Sequence, residues 1–260
     1  MADKPTALIV ATMDTKGREA RFLADCLEAE NIAVKIMDAG IKGQCLGEVD
    51  VTREEVARAG GKSLQDVQNI GHEGKALGVM TNGAIQCAQE LHRQKIIQGV
   101  LSLGGSMGTT LGSGVMRSFP VGLPKVMIST MASRDTRAFV GTKDILMLHS
   151  VCDLAGLNRV SKKILRNGAL ALSGMLRSAL PDDPAALKPL VIVSTLGTTE
   201  ASSLQIHKTL EDKNIEVVIF HTVGSGGKAM EEMIRQEEVA VLVDMSLHEM
   251  ADSRFGGDYD

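Results

Sequence analysis

The sequence predicts an α/β protein with mainly parallel, doubly wound sheets, arranged as two tandem subdomains. Short β-branched and aliphatic runs alternate with longer segments whose apolar residues recur at helical spacing. A polar or glycine-rich turn follows each predicted strand, and one strand–helix–strand segment recurs late in the chain. Regular alternation of strands and helices is typical of a parallel sheet that carries helices on both faces.

Composition limits the classes of partner and compartment. The 260 residues are 44% hydrophobic and only 2% aromatic, which predicts a sizeable aliphatic core. The net charge is −4 at pH 7 and no lysine or arginine run occurs, so we expect no nucleic-acid partner. The longest uncharged stretch, Ile96–Met116, is rich in glycine and hydroxyl residues, so we expect no membrane span. The four cysteines are far apart and no secretory signal is recognised, so we expect free thiols in the cytoplasm.

The start of the chain predicts a right-handed βαβ unit. Thr6–Thr12 and Ile32–Met37 have the composition of buried parallel strands, and Lys16–Glu30 has the spacing of the helix between them. A loop with several glycines follows. Thr52 is then expected to cap a short helix, with Glu55 three residues later completing a capping box.

The alternation continues through the middle of the chain. Ile70–Gln94 has the apolar spacing of a long helix. Ile96–Leu103 is predicted to be a buried strand that leads through a glycine-rich turn into a helix over Ser106–Ser118. The remaining elements of this part are strands at Pro124–Thr130 and, more weakly, Ile145–Ser150, followed by a long amphipathic helix at Asn158–Leu180.

A repeat predicts the second subdomain. Pro181–Pro184 is the best linker in the sequence. Beyond it, Leu190–His221 aligns with Ala7–Asp38 without gaps, at a constant offset of 183 residues and with ten identities. Repetition of a whole supersecondary unit predicts a second domain built like the first, and both are expected to be Rossmann-like.

The second copy is predicted to be half a doubly wound domain. After the repeat come the glycine-rich turn Gly224–Gly227, a helix at Lys228–Gln236 and a strand at Val239–Val243. Three strands and two helices leave a sheet with an exposed edge, so we expect this subdomain to be incomplete. The predicted boundaries are residues 1–180 for the first subdomain, 181–188 for the linker and 189–260 for the second.

The stretch Gly99–Gly114 is the first candidate for a binding site. Backbone amides at the start of a helix lack intrahelical partners, and the helix dipole places partial positive charge there. Glycines let an anion approach this backbone closely, so a phosphate cradle is one interpretation. The alternative is a tight βα turn whose glycines serve helix–sheet packing. Neither G-x-x-x-x-G-K-[ST] nor G-x-G-x-x-G occurs in the stretch, so both standard phosphate fingerprints are excluded.

Polar turns after several strands extend this candidate site. In an open parallel sheet, ligands bind beyond the carboxyl ends of the strands, near the switch in strand order. We therefore expect the turns after the five strands of the first subdomain, together with the segment Val140–Asp144 between the last two, to meet at one edge and to suit a phosphorylated ligand with a divalent cation. The candidate ligand-binding residues are Thr12, Asp14, Thr15, Lys16, Gly17, Asp38, Gly40, Gly104, Gly105, Ser106, Met107, Gly108, Thr109, Thr110, Ser129, Thr130, Met131, Ala132, Ser133, Thr142 and Lys143.

The side chains in these turns suggest separate roles. Lys16 and Lys143 would supply positive charge to the phosphates. Carboxylates would hold Mg²⁺, in part through water, and the candidates are Asp14, Asp135, Asp144 and Asp153. For each carboxylate alone, a helix cap or a turn is the competing explanation.

The motifs, in their order along the chain, resemble a known family. They are Thr12-x-Asp-Thr-Lys-Gly17, Gly104-Gly-Ser-Met-Gly-Thr109, Pro124-Lys125 with Ser129–Ser133, Val140–Asp144, and Ser150-Val-x-Asp-x-x-Gly-x-Asn158. The family comprises proteins that share the N-terminal ATP-binding domain of the tomato mosaic virus resistance protein. The resemblance implies two Rossmann-like subdomains, ATP with Mg²⁺ bound in the first, and a homodimer. It does not imply a particular reaction.

Three functional hypotheses follow. The first is an ATP-binding protein that uses the nucleotide to set a conformation or a partner surface. The second is a phosphoryl-transfer or hydrolytic enzyme that acts on a nucleotide or phosphorylated metabolite with Lys16 and the aspartates. The third is a non-catalytic binding module for another phosphorylated metabolite.

Overall fold

The computed structural model describes residues 4–178, 188–246 and 254–256. The chain forms two compact units, Met1–Ala179 and Leu180–Asp260. The predicted linker Pro181–Pro184 lies outside the described residues.

A five-stranded parallel sheet forms the centre of the first unit. Its strands are β1 (Thr6–Ala11), β2 (Ala33–Asp38), β3 (Gly99–Gly104), β4 (Lys125–Ser129) and β5 (Leu146–His149). The strand order is β2-β1-β3-β4-β5, and every neighbouring pair is parallel. The chain adds β2 on one side of β1 and β3 to β5 on the other, so the strand order switches between β1 and β3. The predicted doubly wound α/β class is confirmed.

Helices cover both faces of this sheet. They are α1 (Met13–Ala29), α2 (Arg53–Ala59), α3 (Leu64–Gln68), α4 (Glu73–Arg93), α5 (Ser106–Arg117), α6 (Arg137–Val140) and α7 (Arg159–Arg177). Side chains alternate along a strand, so Leu8 and Val10 pack with α4 and α5, whereas Ala7 and Ile9 pack with α1 and α7. Most of this core is aliphatic, as the composition predicts.

Helix starts follow local sequence closely. Thr52 and Glu55 form the predicted capping box at α2, with the Glu55 amide donating to Thr52 Oγ1. Asn158 caps α7 by accepting from the amides of Val160 and Ser161. These caps need only neighbouring residues, which is why the sequence reveals them.

The prediction that the segment Val140–Asp144 joins the carboxyl edge of the sheet is wrong. Lys125, the first residue of β4, donates from Nζ to Asp144 Oδ1 at 2.7 Å. Thr142 and Lys143 directly precede Asp144 and therefore lie on the approach to the start of β5. The physical reason is simple: in a parallel sheet, residues that lead into a strand lie at the amino edge.

A three-stranded parallel sheet forms the second unit. Its elements are β6 (Leu190–Thr195), α8 (Glu200–Glu211), β7 (Glu216–His221), α9 (Ser225–Gln236) and β8 (Val239–Val243), in the strand order β7-β6-β8. Asn31 and Asn214 occupy the same position of the predicted repeat, and their φ angles are 63° and 60°. Asparagine tolerates this left-handed conformation better than most residues, so the repeat extends to the turn before the second strand.

None of the helices in the described parts of the chain is long and apolar enough to cross a membrane.

Candidate functional site

A cavity of about 680 Å³ lies at the switch point between β1 and β3 in the first unit. Nine of its lining residues are among those the sequence predicted: Thr12, Asp14, Thr15, Lys16, Gly104, Gly105, Ser106, Met107 and Gly108. They come from the turns after two neighbouring strands. The carboxyl ends of adjacent parallel strands meet at one edge, and this edge brings the two turns together.

Three helices start at this cavity. The N-cap residues are Thr12 for α1, His72 for α4 and Gly105 for α5, and all three line it. The N-cap residues of α1 and α5 make no side-chain cap, whereas His72 Nδ1 accepts from the amide of Lys75 in α4. The first amides of a helix attract anions through their free N–H groups and through the helix dipole. Three converging helix starts therefore make one part of the cavity electropositive.

Helices α4 and α5 run side by side in the same direction. A Cβ atom added to Gly114 would lie 2.8 Å from Thr81 Cγ2, so the two helices touch there. Further along, Gln89 Nε2 donates to the Ser118 carbonyl at 3.2 Å. Thr81 and Gly114 each lie a little more than two turns from the start of their helix, so both helix starts reach the same level.

Another part of the cavity lining is apolar. Ala39 and Ile41 follow β2, Val67 lies on α3, and Ala76 and Leu77 lie on the first turn of α4. We call these five residues the apolar wall. None of them was predicted to belong to the site, although the apolar spacing of Ile70–Gln94 predicted α4. Helical spacing reveals a buried face but does not identify what that face borders.

Charged side chains of both signs line the cavity. Lys16 and Lys42 are its lysines, and Asp14 and Glu73 are its carboxylates. Asp14 Oδ1 is buried and has no hydrogen-bond partner among the described residues. A buried carboxylate oxygen without a donor is costly, but the charge of the Arg53 guanidinium lies close by, since a Cβ atom added to Gly40 would lie 3.1 Å from both Arg53 Nη2 and Asp14 Oδ1.

The other predicted metal ligands lie elsewhere. Asp135 forms an exposed ion pair with Arg137 at 2.8 Å, and hydrogen bonds from Arg137 lower the pKa of Asp135 to about 2. Asp144 lies at the amino edge, and Asp153 follows β5 at the edge of the sheet, outside the cavity lining. The described residues contain no group of three or more histidine, cysteine, aspartate or glutamate side chains that could hold a metal ion.

Asp38 was predicted to contact the ligand, but its hydrogen bonds give it a structural role. Its side chain is 1% exposed, and Oδ1 accepts hydrogen bonds from the amides of Met13 at 3.0 Å and Gly40 at 2.8 Å. Oδ2 accepts from Arg53 Nε at 2.7 Å. Asp38 and Gly40 therefore hold the start of α1 and do not line the cavity.

Arg53 completes this arrangement, which we call the Asp38–Arg53 clamp. Its guanidinium is 5% exposed, and Nη1 donates to the carbonyls of Lys42 and Gly43. The clamp thus also fixes the loop that carries Ile41 and Lys42. It borders a second, smaller cavity of about 290 Å³.

The loop after β4 supports the glycine-rich turn and does not line the cavity. Thr109 Oγ1 and Ser129 Oγ are 2.6 Å apart, and Ser129 Oγ accepts from the amide of Met131 at 2.8 Å. The amide of Thr130 donates to the Gly104 carbonyl at 3.2 Å. Hydrogen bonds of Thr109, Ser129 and Thr130 thus support the turn. The predicted ligand contacts place Thr109, Ser129, Thr130, Met131, Ala132 and Ser133 in the site, but none of them lines the cavity.

Two further candidates also have local roles. Thr110 Oγ1 donates to the Ser106 carbonyl one turn earlier in α5, at 2.9 Å. A Cβ atom at Gly17 would lie 2.5 Å from the Leu46 carbonyl oxygen, so glycine is needed there for close packing. Neither residue lines the cavity.

Fold and site together define a doubly wound, Rossmann-like α/β protein. Its cavity lies at the switch in strand order, where proteins of this fold class bind their ligands. Residues 5–181 match the model for the N-terminal domain of the uncharacterised protein family UPF0261, and residues 188–260 match the model for its C-terminal domain. The chain belongs to the UPF0261 family.

Several relatives show the same relationship. A UPF0261 protein of Clostridium tetani is 40% identical over 250 residues, which are 96% of this chain and 62% of that protein. The ToMV resistance protein Tm-1(GCR237) of Solanum lycopersicum is 30% identical over 275 residues, covering 98% of this chain and 36% of that protein. The chain thus spans about three fifths of the length of the bacterial relatives. The family resemblance inferred from the motifs is confirmed.

Solved structures of similar architecture include a UDP-N-acetylglucosamine 2-epimerase. The two sequences are 12% identical, and the structural alignment covers 94% of this chain and 70% of the epimerase chain with a TM-score of 0.38.

Proposed function

We propose that the first unit binds ATP together with Mg²⁺ in the switch-point cavity. One observation carries this proposal: three helix starts meet at a cavity whose lining also includes the apolar wall. Such a cavity suits a ligand with an anionic end and a flat apolar end, which describes a nucleotide. Its volume of about 680 Å³ lies within the usual range for sites of this kind.

The phosphates would lie at the starts of α1 and α5. A Cβ atom at Gly104 would come within 2.7 Å of Gly108 Cα, so the turn is tight and brings its backbone close to the cavity. The amides of the first turn of α5 would donate to phosphate oxygens. Lys16 would add a mobile positive charge from the first turn of α1.

Mg²⁺ would be held mainly by the phosphates. Protein sites usually provide one or two carboxylates to Mg²⁺ and leave the remaining positions to phosphate and water. Asp14 is the candidate for this role because its side chain lines the cavity at the start of α1. Bound with ATP, the ion would neutralise part of the phosphate charge.

Isothermal titration of the protein with ATP and Mg²⁺ tests the proposal. We expect saturable heat in the micromolar to millimolar range, weakened by EDTA. Asp14→Asn should lose most of the Mg²⁺ dependence and keep residual binding. Asp153→Asn is the matched control, since Asp153 was also a candidate and lies outside the cavity lining. Absence of heat at millimolar ATP from folded protein would refute the proposal.

A second candidate ligand is another phosphorylated metabolite. The uncapped starts of α1 and α5 would bind any phosphate group, whereas the apolar wall favours a nucleotide. A thermal-shift panel of nucleotides and sugar phosphates separates the two, because a ligand that binds the native state raises the melting temperature. A larger shift with a sugar phosphate than with ATP would favour this second candidate.

We also propose that the protein is a cytoplasmic homodimer. The family resemblance supports the dimer, and the four cysteines, all free thiols in the structure, suit a reducing compartment. Light scattering coupled to gel filtration should give twice the mass of 27.6 kDa, and a monomer mass at micromolar concentration would refute the dimer.

A further inference from the structure

Gln68 is a polar side chain next to the apolar wall. It is the last residue of α3, directly after Val67, and it lines the switch-point cavity. Its Nε2 donates a hydrogen bond to the carbonyl of Ile41 at 2.8 Å. Both Val67 and Ile41 belong to the apolar wall, so Gln68 lies on the side of the cavity where a base would pack.

The hydrogen bond to Ile41 assigns the nitrogen and oxygen positions of the Gln68 carboxamide. A backbone carbonyl only accepts hydrogen bonds, so the side-chain nitrogen must face it and the oxygen must face away. In the described part of the chain, no protein donor bonds to Gln68 Oε1. Gln68 is exposed, and its Oε1 is therefore an acceptor that a ligand in the cavity can reach.

We infer that Gln68 is a specificity-determining residue that selects an adenine base by accepting a hydrogen bond from its exocyclic amino group. This inference rests on the proposed nucleotide site and names the base-reading contact within it. Adenine carries an amino group at C6, which donates. Hypoxanthine carries a carbonyl oxygen at the same position, which only accepts, so it would face Oε1 with no proton between the two oxygens.

ATP and inosine triphosphate form a matched pair of probes, since they differ mainly in carrying an amino group or a carbonyl oxygen at C6 of the base. We expect the protein to bind ATP about tenfold more tightly than inosine triphosphate, the discrimination typical of one hydrogen bond and the loss of its pairing. Gln68→Ala should weaken ATP binding by several-fold and leave inosine triphosphate binding unchanged, so that the ratio of the two dissociation constants approaches one.

Gln65→Ala is the control variant. Gln65 is exposed on the same short helix and does not line the cavity, so this change should leave both dissociation constants as they are. If Gln68 served only to support the loop through Ile41, Gln68→Ala would instead weaken the binding of both nucleotides alike. The ratio of the two constants therefore separates base selection from support of the loop.

Inorganic tripolyphosphate distinguishes failure of this inference from failure of the proposed function. Equal binding of ATP and inosine triphosphate, or equal weakening of both by Gln68→Ala, would overturn the role of Gln68 while the nucleotide site stands. Tripolyphosphate binding as tight as that of ATP would show that the base makes no useful contact, which also overturns it. If none of the three probes binds, both the inference and the proposed function fail.

Discussion

The first and second units begin with the same strand–helix–strand sequence but use the polar groups after the first strand differently. In the first unit, α1 begins directly after Thr12, and its start lines the cavity. In the second unit, the amide of Leu196 donates to Thr199 Oγ1 at 2.9 Å, and α8 begins only at Glu200. The second turn is thus occupied by the protein's own hydroxyl group.

Hydroxyl groups continue this difference into the helix. Ser203 Oγ is buried and donates to Thr195 Oγ1 at 2.9 Å, whereas the position equivalent to Ser203 in the first unit is the buried Ala20. The equivalent first amide is thus satisfied within the protein in both units, but by different partners: Asp38 accepts from Met13, and Thr199 accepts from Leu196.

The segment after the second strand also differs. A single helix, α9, connects β7 to β8, whereas α2, α3 and α4 lie between β2 and β3. These extra helices supply Val67, Ala76 and Leu77 of the apolar wall and the third helix start at the cavity. The helices between β2 and β3 therefore distinguish the candidate binding unit from its repeat.

The largest expected effect comes from breaking the Asp38–Arg53 clamp, which the repeat does not share because His221 replaces Asp38 there. Asp38→Ala leaves the 5%-exposed guanidinium of Arg53 without its partner and two amides without an acceptor. We expect the first unit to lose about 3–5 kcal/mol of unfolding free energy. Guanidinium chloride unfolding followed by circular dichroism measures the loss.

Asp135→Ala is the control for the clamp. It breaks an ion pair whose side chains are 72% and 59% exposed, and we expect no measurable change in the unfolding midpoint. Equal midpoints for the Asp38 and Asp135 variants would mean that the clamp adds nothing to the difference between the units.

Packing of the inserted helices is tested by a pair of glycines on α4. A Cβ atom at Gly83 would lie 1.8 Å from the Val56 carbonyl oxygen of α2, so Gly83→Ala should destabilise the first unit by about 3 kcal/mol. At Gly78 a Cβ atom meets nothing within 4 Å, and Gly78→Ala should stabilise the helix by about 0.5–1 kcal/mol. Thermal unfolding should show shifts of opposite sign, and shifts of the same sign would contradict this packing.

Charge at the helix starts tests which unit binds the anion. Ser106 and Ser225 are both exposed first residues of helices that follow a glycine N-cap, one in each unit. Ser106→Asp would place a carboxylate where the phosphates are expected and should weaken ATP binding about tenfold or more. Ser225→Asp should leave the dissociation constant unchanged in isothermal titration. Equal losses in both variants would remove the assignment to the first unit.

The smallest expected effect concerns the closed turn of the second unit. Ser203→Ala introduces the residue that the first unit has at this position and removes the donor to Thr195. We expect a loss of about 1 kcal/mol, typical of one buried hydrogen bond, with unchanged ATP binding. Chemical denaturation measures the first quantity and titration the second. Stronger nucleotide binding by this variant would show that the second turn also reaches the ligand.

Sequence patterns predicted most of the fold because they depend on nearby residues. The strand Thr6–Ala11, the helix Glu73–Arg93 and the capping box at Thr52 each follow from local spacing or a local hydrogen bond. The glycine-rich turn before α5 was recognisable for the same reason. Thr142 and Lys143 were predicted at the wrong edge of the sheet. They are polar like the turns that follow strands, but they precede β5 and therefore lie at the edge where parallel strands begin.

The sequence by itself determined the alternation of strands and helices, the repeat and the turn at the start of α5, because each depends on residues close together in the chain. Only the tertiary structure decided which polar groups remain available to a ligand. Arg53 occupies Asp38, the loop after β4 occupies Ser129, and Asp14 is left without a donor. Hydrogen-bonding capacity is shared between residues that are distant in sequence, so the folded arrangement settles which of them is left free.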